Sequence, residues 1–202
     1  MLNTAVMVSG GGTNLQAILD AIESGEIEGA RLVLVISSRA DARALSRAAA
    51  HGVPTFVAGK AEFPLAEERS AAIASALRGA GAELIVLAGY MHVLEPRIIR
   101  EFEGRIINIH PSLIPKYCGL GFYGKRVHRA VLAAGERESG ATVHYVDEGV
   151  DTGPILLQER VPVLEGDDAD GLAARVLETE HRILVRAVNL LAKEKNRKNG
   201  EV

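Results

Sequence analysis

The chain has 202 residues with a formal net charge of -3, and hydrophobic residues make up 48% of it. These values are ordinary for a soluble globular protein with a substantial core. The charge argues against nucleic-acid binding, and the apolar run at the N-terminus is too short for a signal peptide or a membrane span. A single cysteine excludes an internal disulfide and a cysteine-rich zinc site, and it agrees with a cytoplasmic location.

Short apolar strands alternate with helices through the first half of the chain. Strands are predicted at 5–8, 31–36, 53–57, 84–88 and 105–109, and helices are predicted from about 15 and at 41–51, 66–78 and 96–102. The near-continuous Val, Leu and Ile of these strands is typical of parallel strands covered on both faces. The alternation predicts a doubly wound, mostly parallel, Rossmann-like α/β sheet.

This rhythm changes after residue 117. A helix is predicted at 125–134, strands at 141–146 and 155–163, and a long C-terminal helix at 168–195. At least one of the two late strands is expected to be antiparallel. The charged tail at 193–202 is expected to fray. Because no repeat or linker interrupts the chain, residues 1–202 are expected to form a single domain.

A glycine-rich loop, SGGGTN at residues 9–14, follows the first strand and leads into a helix. In a doubly wound fold, backbone N–H groups and a helix N-terminus favour a phosphate at this position. Leu15 replaces the third glycine of the dinucleotide fingerprint, and the Walker pattern is missing, so a single phosphate is expected. A plain tight turn is the alternative. The candidate phosphate-binding residues are Gly11, Gly12, Thr13 and Asn14.

Two polar residues, Asn108 and His110, stand at the carboxyl end of the fifth strand. Residues two apart in a strand share a face, so both are expected to point into one cavity. Asn108 can donate to a developing oxyanion, and His110 can do the same or transfer a proton. Asp151 lies in a turn before a later strand. If it reaches His110, it is expected to raise the imidazole pKa and to orient the ring.

No convincing nucleophile accompanies His110. Ser112 follows a proline and is expected to serve a turn or cap, and Cys118 lies in a loop without an adjacent base. The set of Asn, His and Asp therefore favours direct transfer to an external nucleophile, without a covalent enzyme intermediate. The alternative is that Asn108 and His110 only end the strand. No histidine pair has the spacing of a helical metal motif, so no metal is expected.

Four segments occur in an order that is similar to a known family: residues 9–18 (SGGGTNLQAI), 86–91 (VLAGYM), 108–113 (NIHPSL) and 151–155 (DTGPI). Together they resemble the phosphoribosylglycinamide formyltransferases, the folate-dependent enzymes of purine synthesis. The third segment marks the wider formyltransferase superfamily. The glycine loop points to the glycinamide ribonucleotide branch, and the length is similar to that of its single-domain members.

The resemblance implies transfer of a formyl group from 10-formyltetrahydrofolate to the amine of 5′-phosphoribosylglycinamide. The catalytic residues would be Asn108, His110 and Asp151, with His110 donating a proton to the leaving nitrogen, and Glu180 would bind the ribose or glycinamide part. The folate-binding residues would be Met91, His92, Val93, Leu94, Asn108, Asp147 and Glu148. The implied partners are these two small molecules, and the chain is expected to be a monomer or a homodimer.

The chain departs from the family pattern at a position that contacts the folate tail. An arginine expected there falls on Ala66, and Arg69 lies about one helical turn further on. The main rival is a folate-dependent formyltransferase or deformylase that acts on another acceptor. The predicted phosphate site argues against it, because another acceptor need not carry a phosphate. A nucleotide-binding oxidoreductase is disfavoured by the missing third glycine.

Overall fold

The computed structural model describes residues 1–198 and 200, and over these residues seven strands form one sheet with six helices around it. The strands are β1 (Leu2–Val8), β2 (Ala30–Ser37), β3 (Thr55–Val57), β4 (Leu84–Leu87), β5 (Ile106–His110), β6 (Glu138–Tyr145) and β7 (Ile155–Pro162). The helices are α1 (Thr13–Glu23), α2 (Arg43–Ala50), α3 (Ala66–Gly79), α4 (Pro96–Glu101), α5 (Lys125–Ala133) and α6 (Ala169–Lys198).

The sheet has the strand order β3-β2-β1-β4-β5-β6-β7. The first five strands in this order are parallel, whereas β6 pairs with β5, and β7 with β6, in antiparallel fashion. The predicted doubly wound, mostly parallel class is therefore confirmed: β6 alone runs against the other six strands, and β7 runs again in their direction. The assignment of the whole chain to a single domain stays a prediction.

Both faces of the central strands are covered. All four residues of β4 are buried, and the side chains of β1 divide between two hydrophobic clusters. Buried residues of α1, α2, α5 and α6 complete the cluster on one face, and those of α3 and α4 complete the other. This double coverage explains why these strands read as continuous apolar runs, without alternation.

The strand order reverses at the boundary between β1 and β4, and the connections leave this point in opposite directions. A crevice at the carboxyl ends of the strands follows from that topology. Ser9 holds the strand ends together there. Its hydroxyl lies 2.6 Å from the Ser38 hydroxyl and accepts a hydrogen bond from the backbone N–H of Met91 at 2.8 Å. The loops after β1, β2 and β4 are thus tied at one buried point.

The fraying of the charged tail at 193–202 stays a prediction. Helix α6 nevertheless continues to Lys198. The physical reason is that Lys195 pairs with Glu83 and donates to the backbone oxygen of Met1. Residues 199, 201 and 202 of the predicted tail lie outside the described residues. Within the described part of the chain, no helix combines the length and the apolar character needed to cross a membrane.

Gly12 is the tightest position of the glycine loop. It precedes α1 with φ 72, a left-handed conformation that disfavours side chains. Helix α2 packs directly against it, because the N–H of Ala44 donates to the Gly10 oxygen at 3.1 Å. A Cβ added at Gly12 would lie 2.6 Å from the Cβ of Ala44. The loop therefore needs glycine at this position on both conformational and steric grounds.

We expect Gly12→Ala to lower the free energy of unfolding by about 2 kcal/mol or more, from backbone strain and the clash with Ala44. Urea denaturation measures this change. The matched control is Gly10→Ala, because no described atom outside the immediate chain lies within 4 Å of a Cβ at Gly10. Equal losses in the two variants would contradict this account of the loop.

Candidate active site

A cavity of about 460 Å³ opens at the carboxyl ends of the central strands. Asn14 and Glu180 line one part of it, and Asn108 and His110 line another. Apolar side chains, including Leu94, Ile99 and Val146, line a third part. A polar cluster beside an apolar wall, in a cavity of this size, is typical of small-molecule sites.

Asn108 and His110 both face this cavity, as their spacing in β5 predicts. The antiparallel register places Asn108 opposite His144 on β6. The Asn108 Nδ2 lies 3.1 Å from the His144 Nε2, while the His144 Nδ1 lies 2.8 Å from the Tyr145 oxygen. A carbonyl oxygen only accepts, so the His144 Nδ1 carries the hydrogen and Nε2 accepts from the amide. His144 therefore orients the Asn108 side chain.

Asp151 is the point where these side chains converge. Its Oδ2 lies 3.5 Å from the His110 Nδ1 and accepts from the Gly119 N–H at 2.9 Å. Its Oδ1 lies 3.5 Å from both the Asn108 Nδ2 and the His144 Nε2. Desolvation alone would raise the pKa of Asp151, but the two histidines and the Gly119 N–H outweigh it and hold the pKa below its ordinary value.

His110 is buried, with 5% of its surface exposed. Its Nε2 lies 2.9 Å from the backbone oxygen of Tyr117. Nε2 therefore carries the hydrogen, and Nδ1 is the nitrogen that faces Asp151. Asp151 does raise the pKa of His110, but the net pKa of this imidazole lies below its ordinary value. Burial lowers the pKa of His110 and exceeds the raising effects of Asp151 and the Tyr117 oxygen, while His144 lowers it further.

His144 is the residue of this cluster that no sequence motif indicates. Its position becomes meaningful only when β6 is known to pair with β5 in this register. The alternation of residues along β6 predicts a strand, but it does not indicate which strand pairs with β6.

Asn14 and Glu180 lie together in the cavity. The Asn14 Nδ2 donates to the Glu180 Oε2 at 2.8 Å. The Asn14 Oδ1 is buried and has no hydrogen-bond partner among the described residues. Desolvation raises the pKa of Glu180 to about 7, against the lowering effect of Asn14. The side-chain N–H of Asn14 thus donates to Glu180, and the backbone N–H of Asn14 is the group that can serve the predicted phosphate site.

The glycine loop lies beside a cation that sequence reasoning missed. Gly11 and Thr13 are exposed and Gly12 is half-buried. The Arg47 Nε donates to the Gly11 oxygen at 2.9 Å, and its Nη1 donates to the Gln16 Oε1 at 2.8 Å. Arg47 belongs to α2, far from the loop in the chain. Its role could not be read from a local motif.

Most of the residues predicted for the folate pocket line the cavity. They are Met91, His92, Val93, Leu94, Asn108 and Asp147. Glu148 is the exception: its carboxylate is exposed and pairs with the Arg100 Nε at 2.7 Å, so it points to solvent. Around the cavity mouth, an apolar rim of four side chains remains exposed. The apolar rim consists of Met91, Val93, Leu120 and Tyr123.

Arg69, one turn after Ala66, lies near this mouth. It donates to the Phe63 oxygen at 3.0 Å. Burial, together with the charges of Arg69 and Lys60, lowers the pKa of His92. Positive charge is thus present beside the cavity although Ala66 itself supplies none.

Among the described residues, no group of three or more His, Cys, Asp or Glu side chains is arranged to hold a metal ion. The expectation that no metal is required stays a prediction. Cys118 shows no activation, because burial and Asp151 raise the pKa of its thiol. The Ser112 hydroxyl donates to the Lys116 oxygen at 2.7 Å, and it therefore serves the turn.

Fold and cavity together define a doubly wound α/β protein of the class that binds small ligands beyond the carboxyl ends of its strands. The family described as Formyl transferase matches residues 2–188. A phosphoribosylglycinamide formyltransferase of Haemophilus influenzae is 44% identical over 91% of this chain and 84% of its own length. The corresponding protein of Escherichia coli is 38% identical over 95% of this chain and 87% of its own.

The glycinamide ribonucleotide transformylase 1 of Symbiobacterium toebii has a similar crystal structure. Its TM-score is 0.90 at 44% identity, over 96% of this chain and 89% of that one. The chain also matches the trifunctional purine biosynthetic protein adenosine-3 of Drosophila pseudoobscura pseudoobscura at 47% identity, but it spans only 14% of that protein's length. The chain belongs to the formyl transferase family and, within it, to the phosphoribosylglycinamide formyltransferases.

We expect Glu180 to contribute a loss in the free energy of unfolding as the pH rises from about 4.5 to 7, because the folded protein keeps a proton on this carboxyl that the unfolded chain releases. Glu180→Gln removes this loss. This variant should therefore be more stable than the parent by about 2 kcal/mol at pH 8, and its gain in stability should be smaller near pH 4. Urea denaturation at both pH values measures the difference. Glu178→Gln, an exposed change on the same helix, is the control, and an equal gain in that variant would contradict the assignment.

Proposed function

We propose that the protein transfers the formyl group of 10-formyltetrahydrofolate to the amine of 5′-phosphoribosylglycinamide, in de novo purine biosynthesis in the cytoplasm. One observation supports this most directly. A single cavity joins the Asn14–Glu180 pair, the cluster of Asn108, His110 and Asp151, and an apolar wall. An acceptor and a donor bound at its two ends would meet beside His110. The proposed partners are these two small molecules, bound by a monomer or a homodimer.

The acceptor would lie at the β1 end. Its phosphate would receive backbone N–H groups from the loop of Gly11, Gly12, Thr13 and Asn14, with Arg47 adding positive charge nearby. Glu180 and the unpartnered Asn14 Oδ1 are two hydrogen-bond acceptors. They suit the N–H or hydroxyl donors of a ribosylated glycinamide.

The formyl donor would lie against the apolar wall. A flat, partly apolar ring system fits the space between residues 91–94 and the loop at 147–151. The Asp147 carboxylate accepts from the Gly149 N–H at 3.1 Å and the Thr152 hydroxyl at 2.6 Å. Asp147 thus shapes this loop, and its contribution to donor binding would come through the backbone. Arg69 and Lys60 would offer positive charge to the carboxylate tail of the donor.

The reaction would proceed by direct attack of the acceptor amine on the formyl carbon. One Asn108 N–H is held by His144. The other makes a long hydrogen bond to the Asp151 Oδ1, at 3.5 Å, and would turn from it to stabilise the developing oxyanion. Neutral His110 would take the proton of the attacking amine on Nδ1 and return it to the leaving nitrogen. Asp151 would stabilise the ring while it is charged. The lowered pKa of His110 suits this shuttle, which needs an imidazole that is unprotonated at the start.

The test is an assay of the purified protein with both substrates, following folate absorbance and formylated product. We expect product to form in proportion to the acceptor added. Formate release without the acceptor would indicate a deformylase. Formyl transfer only to another amine would indicate a different transferase, and either result would overturn the proposal.

We expect His110→Ala to lower kcat by about a hundredfold or more, because it removes both the proton shuttle and its electrostatic support. Steady-state kinetics with both substrates measures this loss. Asn189→Ala is the control, since its amide donates to the Glu26 oxygen in the loop that precedes β2, and Asn189 does not line the cavity. Near-parental turnover in His110→Ala would show that His110 does not carry the proton.

A further inference from the structure

The backbone of a short loop segment contacts the two titratable groups at the centre of the cavity. The Tyr117 oxygen accepts from the His110 Nε2 at 2.9 Å, and the Gly119 N–H donates to the Asp151 Oδ2 at 2.9 Å. We call residues 117–119 the bracket segment. One carbonyl and one N–H, two residues apart, thus fix the imidazole and the carboxylate relative to each other.

The bracket segment has an unusual backbone. Tyr117 has φ 53 and Gly119 has φ 86, both in the left-handed region. Glycine adopts this conformation freely, but tyrosine does not, and such a residue persists only where its surroundings determine it. The contacts of the Tyr117 side chain therefore help to orient its carbonyl, together with the backbone contacts of Lys116 and Gly119.

The side chain of Tyr117 is anchored at its hydroxyl. The hydroxyl donates to the Glu136 Oε1 at 3.0 Å, and the Lys116 Nζ contacts the same oxygen at 2.7 Å. The Tyr117 ring also meets Phe122 edge-on, with centroids 6.1 Å apart. Glu136 lies in the turn between α5 and β6, where its N–H donates to the Val131 oxygen. The anchor thus belongs to the scaffold that carries His144, and not to the loop itself.

The packing around the Tyr117 ring is incomplete on one side. A second cavity of about 190 Å³ lies against Tyr117, and its lining includes Glu136, Glu138 and Arg160. Tyr117 therefore lacks close side-chain contacts over part of its surface. The hydroxyl bond to Glu136 therefore adds a directional contact to the packing of the Tyr117 ring on Phe122 and on the main hydrophobic core.

We propose that Glu136 is a positioning residue for proton transfer, which acts through the Tyr117 hydroxyl and carbonyl on the His110 Nε2. By keeping the hydrogen on Nε2, this chain of contacts leaves the His110 Nδ1, beside Asp151, as the nitrogen that can accept a proton. The inference rests on the proposed formyl transfer for its kinetic consequences. The contacts themselves, and their effect on the imidazole, are independent of that reaction.

We expect Tyr117→Phe and Glu136→Leu to lower kcat about tenfold, with KM for both substrates changed by less than twofold, because the imidazole loses its alignment while the binding surfaces remain. The acid limb of kcat/KM should also move to lower pH. The Tyr117 carbonyl stabilises the protonated imidazole, so its loss lowers the pKa of His110 further. Glu136→Gln keeps an acceptor oxygen and should restore most of the activity.

The matched control is Glu138→Gln. It removes the pairing with Arg160 at 2.9 Å on the same second cavity without touching Tyr117. If Tyr117→Phe and Glu136→Leu match this control in kcat, the proposal is wrong. The proposal is also wrong if kcat falls while the acid limb of the kcat/KM profile stays at the same pH. A general loosening of the loop would lower kcat without moving that limb.

A second measurement separates this inference from the proposed function. Nitrogen-15 NMR of ligand-free protein reports the tautomer and titration of His110 without any turnover. We expect the Nε2–H tautomer in the parent and in Glu136→Gln, and a mixture with a lower titration midpoint in Tyr117→Phe. An unchanged His110 signal in Tyr117→Phe would overturn the positioning role even if the parent is fully active. If the parent has no transferase activity but Tyr117→Phe still changes the His110 signal as expected, the positioning role stands and the proposed function fails.

Discussion

A half-buried carboxylate is the constraint on which this site depends. Asp151 has lost much of its hydration, so its charge must be balanced by nearby donors and cations. The Asn108 amide of β5 and the Gly119 N–H of the bracket segment donate to this carboxylate, and the imidazoles of His110 on β5 and His144 on β6 lie 3.5 Å away, where they stabilise it when they carry a second proton. The antiparallel addition of β6 to a parallel sheet therefore matters chemically, because it puts a second imidazole beside this carboxylate.

Two carboxyl groups of the cavity, Asp151 and Glu180, have pKa values shifted in opposite directions. Histidines and a backbone N–H keep the pKa of Asp151 low, whereas Glu180, with one amide as its partner, has a pKa raised to about 7. Environment alone makes one an anion and the other a group that holds a proton near neutrality. The lowered pKa of His110 completes this division, since an uncharged imidazole beside an anionic Asp151 can accept a proton without first losing one.

The fold was predictable because continuous Val, Leu and Ile runs report strands covered on both faces, as in β4. The spacing of Asn108 and His110 likewise fixed a shared face. What sequence could not supply depends on register and burial. His144 acquires its partner from the β5–β6 pairing, and the direction of the His110 pKa follows from burial that no motif encodes. The amide of Asn14 faces Glu180, 166 positions away in the chain.

The apolar rim keeps hydrocarbon surface in water around the cavity mouth, with 82% of Leu120 and 64% of Val93 exposed. A ligand that covers this surface releases the water ordered on it, and the heat capacity of the system falls on binding. The enthalpy of association then becomes more negative as the temperature rises, while the entropy changes in the opposing direction. Affinity would consequently vary little across the temperatures at which a cell grows, although the heat released would vary widely.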